Sequence, residues 1–197
     1  MPDVTIADAT VEAQAVTETG RPAVRVRIPA GGATKGGVAL TKISFSDGII
    51  EADVLSTLAK DAPEGSRGFA GLAFRAAPGL ESYETIYLRP TNGRARDQIR
   101  RNHSIQYISY PDFPWHRLRK EAPGHYESYV DLELGKWIRM RLEIFGEEAL
   151  LFVNGSEQPV LVVRDLKLGA DRRGQVGLWI GSGTIAYFSN LQVKSCN

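Results

Sequence analysis

GKWIRMRLEIFGEEALLFVNG, residues 135–155, decides the fold class. Ile138, Met140, Leu142 and Ile144 alternate with Trp137, Arg139, Arg141 and Glu143. After a turn at Gly146-Glu147, Ala149, Leu151 and Val153 resume the same period. A period of two sends neighbouring side chains to opposite faces of an extended chain, so one face is apolar and the other is solvated. Two such runs joined by a short glycine-containing turn read as a β-hairpin.

The same period extends outward along the chain. Val24, Val26 and Ile28 alternate with Arg25 and Arg27. Turn chemistry separates the runs at Ser46-Asp47-Gly48, Ala77-Pro78-Gly79, Asn92-Gly93, Asn154-Gly155 and Arg173-Gly174. Strands are expected near 3–7, 11–17, 23–28, 37–45, 49–56, 68–75, 83–89, 104–109, 125–132, 136–145, 148–154, 159–163, 174–180 and 184–193. Residues 19–37, with Gly20, Gly31, Gly32, Gly36 and Gly37, read as one strand between flexible loops. No segment carries a ten-residue helical stripe. These features predict an all-β chain, residues 1–197 forming one domain, built as a two-sheet antiparallel jelly-roll sandwich. Long antiparallel strands over about 190 residues favour that form over a smaller immunoglobulin-type sandwich.

Composition removes several classes of function. The chain has 197 residues, 43% of them hydrophobic, and 24 Lys+Arg against 23 Asp+Glu for a net charge of +1. Disorder does not fit such values. The lone Cys196 excludes a disulfide framework. No apolar run approaches the ~18 residues of a spanning helix. A near-neutral chain has no general pull toward nucleic acid or membrane, so neither is an expected partner. The first ten residues lack a basic region and an apolar region. The expected location is therefore cytoplasmic if Met1 is native, and periplasmic or secreted if a signal was removed.

The stretch from 90 to 124 breaks the strand pattern. It is rich in Arg, Pro and aromatic residues, with one expected strand, at 104–109. From Arg89 to Lys120, eight basic residues face only Asp97 and Asp112, a net of +6 that leaves −5 for the rest of the chain. A connection this long is commonly functional. Tyr107, Tyr110, Phe113 and Trp115 argue against disorder. Arginine accounts for 17 of the 24 basic residues and lysine for 7, and its planar fork suits carboxylates and aromatic faces. Two readings of the insert compete. It grips a sugar or an anionic group through ring stacking and guanidinium hydrogen bonds, or it clamps itself to the acidic sandwich.

Strand parity sorts the candidate site residues. Tyr83, Thr85, Tyr87 and Arg89 share one face, and Glu84, Ile86 and Leu88 the other. Phe69, Gly71, Ala73 and Arg75 likewise share a face. A buried Glu84 needs a partner, which Arg75 across the hairpin would supply. Alternatively, Glu84 is catalytic. Glycoside cleavage uses two carboxylates roughly 5 to 9 Å apart. Glu127 and Asp131 on one strand would stand ~13 Å apart, so Glu84 would have to partner Glu127. His103, His116 and His125 lack tight zinc spacing. Asp61, Glu64 and Asp165 leave Ca²⁺ possible without a calcium-loop motif. No other cofactor is evident.

FSDGIIEADV (45–54), GFAGLAFR (68–75), SYETIYLRP (82–90), the hairpin of 135–155 and GQVGLWIGSGTIAYFSNLQV (174–193) follow one another in an order that resembles the concanavalin A-like lectin/glucanase sandwiches, laminin G-like domains included. The series is most similar to the bacterial 3-keto-disaccharide hydrolase-like domain. The resemblance covers about residues 45–193. It implies a concave, sugar-handling sheet face with Arg75 and Glu84 on it. Here Ile86 and Leu88 stand where that family carries polar residues, and the Arg-rich insert replaces a shorter connection. The expectation is a carbohydrate-active protein, cleaving or processing a glycoside or keto-sugar as a hydrolase or lyase. Glu84 is its expected acid/base and Glu127 the partner. Arg75, Tyr87, Arg89, Gln106, Trp115 and Arg117 are the expected ligand-binding residues. The alternatives are a non-catalytic, lectin-like carbohydrate-binding module and a structural or partner-binding sandwich.

Overall fold

Fourteen strands pair into two seven-stranded antiparallel sheets in the computed structural model, which describes residues 4–6, 11–29 and 36–196. In chain order the first seven are β1 (Val4–Ile6), β2 (Glu12–Glu18), β3 (Arg21–Arg27), β4 (Gly37–Phe45), β5 (Asp47–Leu58), β6 (Ala70–Ala76) and β7 (Tyr83–Leu88). The rest are β8 (Ile105–Tyr110), β9 (Glu127–Ser128), β10 (Ile138–Phe145), β11 (Glu148–Val153), β12 (Leu161–Val163), β13 (Gly174–Ile180) and β14 (Thr184–Cys196). The first sheet runs β1-β4-β13-β6-β7-β8-β9 and the second β12-β11-β10-β5-β14-β3-β2. Strands adjacent in space but distant in sequence make this a jelly roll rather than a meander.

The alternation of 135–155 becomes the β10–β11 hairpin, with Leu142 opposite Leu151 and Ile144 opposite Ala149. Central β5 turns Ile50, Ala52 and Val54 inward, where they are buried. Its outward Glu51 and Asp53 pair with Arg139 of β10. In the first sheet, Leu178, Leu72, Ile86 and Tyr107 are successive register partners across β13, β6, β7 and β8. All four are essentially unexposed and belong to the core shared by both sheets. Burying each such side chain contributes about 1.5–3 kcal/mol.

The expected strands at 37–45 and 174–180 coincide with β4 and β13. The expected strand at 125–132 shrinks to Glu127–Ser128. The reason lies in side chains beyond it. Tyr129 accepts from Arg101, and Asp131 and Glu133 accept from Arg94, so this segment is drawn to the insert and forms no ladder. Of the glycine-rich loop, Gly31 and Gly32 lie outside the described residues, as do the ends of the strand expected at 3–7.

Between β7 and β9 the insert forms three short helices: α1 (Pro90–Gly93), α2 (Gln98–Arg101) and α3 (Trp115–Glu121). Pro90 opens α1, where a missing N–H costs nothing. Asp97 caps α2 by accepting the Arg100 backbone N–H at 2.7 Å. Arg100 in turn donates to Asn92 and Thr91, tying α2 to α1.

Candidate functional site

A cavity of about 1030 Å³ lies on the face of the first sheet turned away from the core, beneath the insert. Its floor follows from strand parity. The residues alternating with the core row are Trp179, Gly71, Tyr87, Gln106 and Glu127, register partners across β13, β6, β7, β8 and β9. Gly71 lies between two large rings. A Cβ there would fall 2.2 Å from the Ile86 carbonyl oxygen and 2.5 Å from the Tyr87 Cα. Its bare backbone lets the flanking Tyr87 and Trp179 rings stack over it, with centroids 4.4 Å apart. Tyr83 and Tyr110 stack at 5.0 Å and extend the floor. Trp179 Nε1 donates to the Tyr83 hydroxyl at 3.4 Å.

The wall is cationic. Arg67, Arg89, Arg100 and Arg119 line the cavity with His103. Arg89 is 6% exposed and stands 5.3 Å from the Tyr87 ring centre, with Phe69 and Trp115 within 6 Å. It donates to the Tyr87 hydroxyl at 3.0 Å and to Gln106 Oε1 at 3.1 Å. Gln106 is fixed for that role, because its Nε2 donates to the carbonyls of Tyr107 and Tyr126. Behind the wall, buried Glu127 accepts from Arg119 at 2.7 and 2.6 Å in a fork geometry. Arg89 and His103 stand 3.7 and 3.4 Å from its carboxylate. Burial is the largest influence on His103 and holds its imidazole below the ordinary pKa. Arg119 and Arg89 push the same way and Glu127 opposes them.

Of the residues expected to bind ligand, Tyr87, Arg89 and Trp115 line the cavity, and Gln106 supports Arg89 from below. Arg117 does not line it. That guanidinium stacks on Phe113 and pairs with Glu121.

Arg75 and Glu84 are not on the cavity face. Strict alternation would set Arg75 beside Gly71 and Ala73. Instead β6 advances from Ala73 to Ala76 while β13 moves only from Gly177 to Gln175, a bulge in which Arg75 adopts φ of +52°. The side chain is redirected to the end of the core. There it donates to the carbonyls of Ser46, Gly169 and Gly146 and to Asp47 at 2.7–3.0 Å. Glu84, fully buried, accepts from the Tyr107 hydroxyl at 2.6 Å and the Leu168 N–H at 3.3 Å. Its other oxygen lies 3.7 Å from Arg75. Burial raises the Glu84 pKa, while Tyr107, Leu168 and Arg75 pull it back. A raised carboxyl suits a general acid, but this one is fully buried and does not line the cavity. The expected placement on the sugar-handling face does not hold: Arg75 and Glu84 lie on the other side of the sheet from the cavity, as a buried pair. Glu127 is likewise not a free partner carboxylate, since both its oxygens are engaged by Arg119.

Strand reading alone overlooked Trp179 and Arg67 as site residues. Trp179 sits inside a glycine-rich strand, on the same face as Gly177 and directly across from Gly71. Among the described residues no group of three or more His, Cys, Asp or Glu converges as a metal site. Asp165 is occupied by Tyr126 and Lys167.

No protein-family model and no curated protein sequence matches the chain. Solved structures do. A carbohydrate-binding module from Bacillus subtilis aligns over 99% of this chain and 99% of its own, at 15% identity and a TM-score of 0.63. A Bacillus subtilis protein of unknown function with a galectin-like fold covers 94% of this chain and 88% of its own, at 13% identity and 0.59. A "putative glycosyl hydrolase" from Parabacteroides distasonis covers 95% and 94%, at 13% identity and 0.55. Identities this low speak to architecture: the chain has the concanavalin A-like jelly-roll fold.

Proposed function

We propose that the protein binds a carbohydrate in the cavity over the first sheet and releases it unchanged. The observation that carries this reading is the lining. Four aromatic rings form the floor, and Asp97 is the one lining carboxylate among the described residues. Aromatic faces stack on the apolar faces of sugar rings, and a rigid floor loses little entropy on binding. Glycoside cleavage needs two carboxylates flanking the bond. Asp97 has no second carboxylate beside it in the lining, Glu127 is held by Arg119, and Glu84 lies across the sheet. The full-length likeness to a carbohydrate-binding module supports the reading.

An array of oligosaccharides, with product analysis of every glycan that binds, tests it. Saturable binding without product is expected. Trp115, half exposed at the cavity mouth, stacks with Arg119 at 4.7 Å. Trp115→Ala should weaken binding about tenfold, the value of one aromatic contact. Product accumulating with time would overturn the binding-only reading, and so would the absence of any glycan binding.

A further inference from the structure

We propose that the arginine wall of the cavity is a subsite for an oxyanion, a carboxylate or a sulfate ester, carried by the bound sugar. The inference rests on the sugar-binding reading and names the substrate class. Four arginines converge from four places in the chain: Arg67 before β6, Arg89 after β7, Arg100 in α2 and Arg119 in α3. Two carboxylates belong to the site, Asp97 in its lining and Glu127 behind the wall, and both are already engaged; Glu64 adds a smaller opposing charge at Arg67. Asp97 caps α2. Glu127 receives both arms of Arg119. The four arginines outnumber these carboxylates, Glu64 included.

The hydrogen bonds locate that surplus. Arg67 donates only to the carbonyls of Glu64 and Ser66. The Arg100 guanidinium donates only to neutral groups of Asn92 and Thr91. Neither forms an ion pair with a carboxylate among the described residues. Arg89 supplies an independent observation: its buried Nε–H finds no acceptor. A buried donor without an acceptor is destabilising, and the lack is relieved when a ligand oxygen arrives. The crowding also shows in Arg67. Burial first, then the positive charges of Arg100 and Arg89, hold its guanidinium below the ordinary pKa, against a smaller opposing effect of Glu64. An oxyanion between these side chains would accept from several forks at once and offset their mutual repulsion. The aromatic floor beneath sets the ring that carries it.

Calorimetry on the intact protein with matched pairs of probes tests this. One pair is an oligogalacturonide and its fully methyl-esterified, neutral form. The other is a sulfated dextran oligomer and plain dextran oligomer. Tighter binding of one or both acidic members by about tenfold or more is expected, with affinity that falls as salt rises. The stronger arm tells carboxylate from sulfate. Arg67→Gln and Arg100→Gln should each remove most of that preference, while Arg67→Lys, which keeps the charge, should retain part of it. Thermal melts establish that each variant is folded. Equal affinity for acidic and neutral members would overturn the subsite and leave the sugar-binding reading standing. Binding of inorganic sulfate that depends on Arg67 and Arg100, with no binding of any glycan, would support an oxyanion site and overturn the sugar reading.

Discussion

Arg75 and Arg89 are both buried arginines near strand ends of the first sheet, and they differ in how many acceptors each one meets. At Arg75 all three nitrogens are satisfied, by three backbone carbonyls and Asp47, with Glu84 alongside. At Arg89 one terminal nitrogen serves Tyr87 and Gln106, the other stands 3.7 Å from Glu127, and Nε has no partner. The first is a closed knot. It ties the first sheet to the β4–β5 and β10–β11 turns, and so fastens the two layers at one end. The second is an open one, short of acceptors and facing 1030 Å³ of accessible space. Where the chain supplies every acceptor, a buried charge is structural. Where it does not, as at Arg89, a buried donor is left unmet beside the cavity.

The sharpest way to break this contrast is Arg75→Met. It removes a fully buried cation, takes the neighbouring charge from Glu84 and leaves Asp47 and three backbone carbonyls without their donors. A loss of about 3–5 kcal/mol is expected, seen as a fall in melting temperature of roughly ten degrees. A variant as stable as the wild type would mean the knot fastens nothing. Glu127→Gln comes next. It leaves Arg119 and Arg89 without their counter-charge, but the cavity admits water, so the expected cost is smaller, about 2 kcal/mol. Added sulfate should restore part of that loss, whereas it should do nothing for Arg75→Met.

The smallest effects are in pH dependence, and the two regions should differ in what acidification does to them. Glu84 has a raised pKa when folded, so its contribution to stability is complete below the unfolded value and declines as pH rises through the folded one. Denaturation curves should therefore show the wild type gaining on Glu84→Gln as pH falls through the raised folded pKa toward the unfolded value. His103 has a lowered pKa, set by burial and by Arg119 and Arg89 against Glu127 and Asp97. Its protonation adds a positive charge to the wall. Affinity for an acidic glycan should rise as pH falls through the range of that lowered pKa, with proton uptake on binding measurable in buffers of different ionisation heat. An affinity that is flat over that range would show that His103 does not sense the bound anion.

The arginines of the insert fall into two groups by what they meet. Arg94 grips Asp131 and Glu133, Arg101 grips Tyr129, and Arg117 grips Glu121 and Phe113. These clamp the loop. Arg89, Arg100 and Arg119 turn to the cavity, where they meet Arg67 from a different part of the chain. No local sequence feature separates the two groups, because all are arginines in one polar, aromatic stretch.

Period-two alternation and turn chemistry are local properties, and they alone determined the all-β class, most strand positions and the hairpin of 135–155. Parity along β7 also set Tyr87 and Glu84 on opposite faces, and the need of a buried carboxylate for a cation pointed to Arg75. The tertiary structure decided which face of β7 lies under the insert and which lies in the core. It decided that a single bulge at Arg75 reverses that side chain's direction, since a left-handed backbone at a non-glycine residue leaves no mark in the sequence. It also decided that four arginines spread from position 67 to position 119 share one wall with too few acceptors. Acceptor supply depends on long-range packing, and packing exists only once the two sheets have closed.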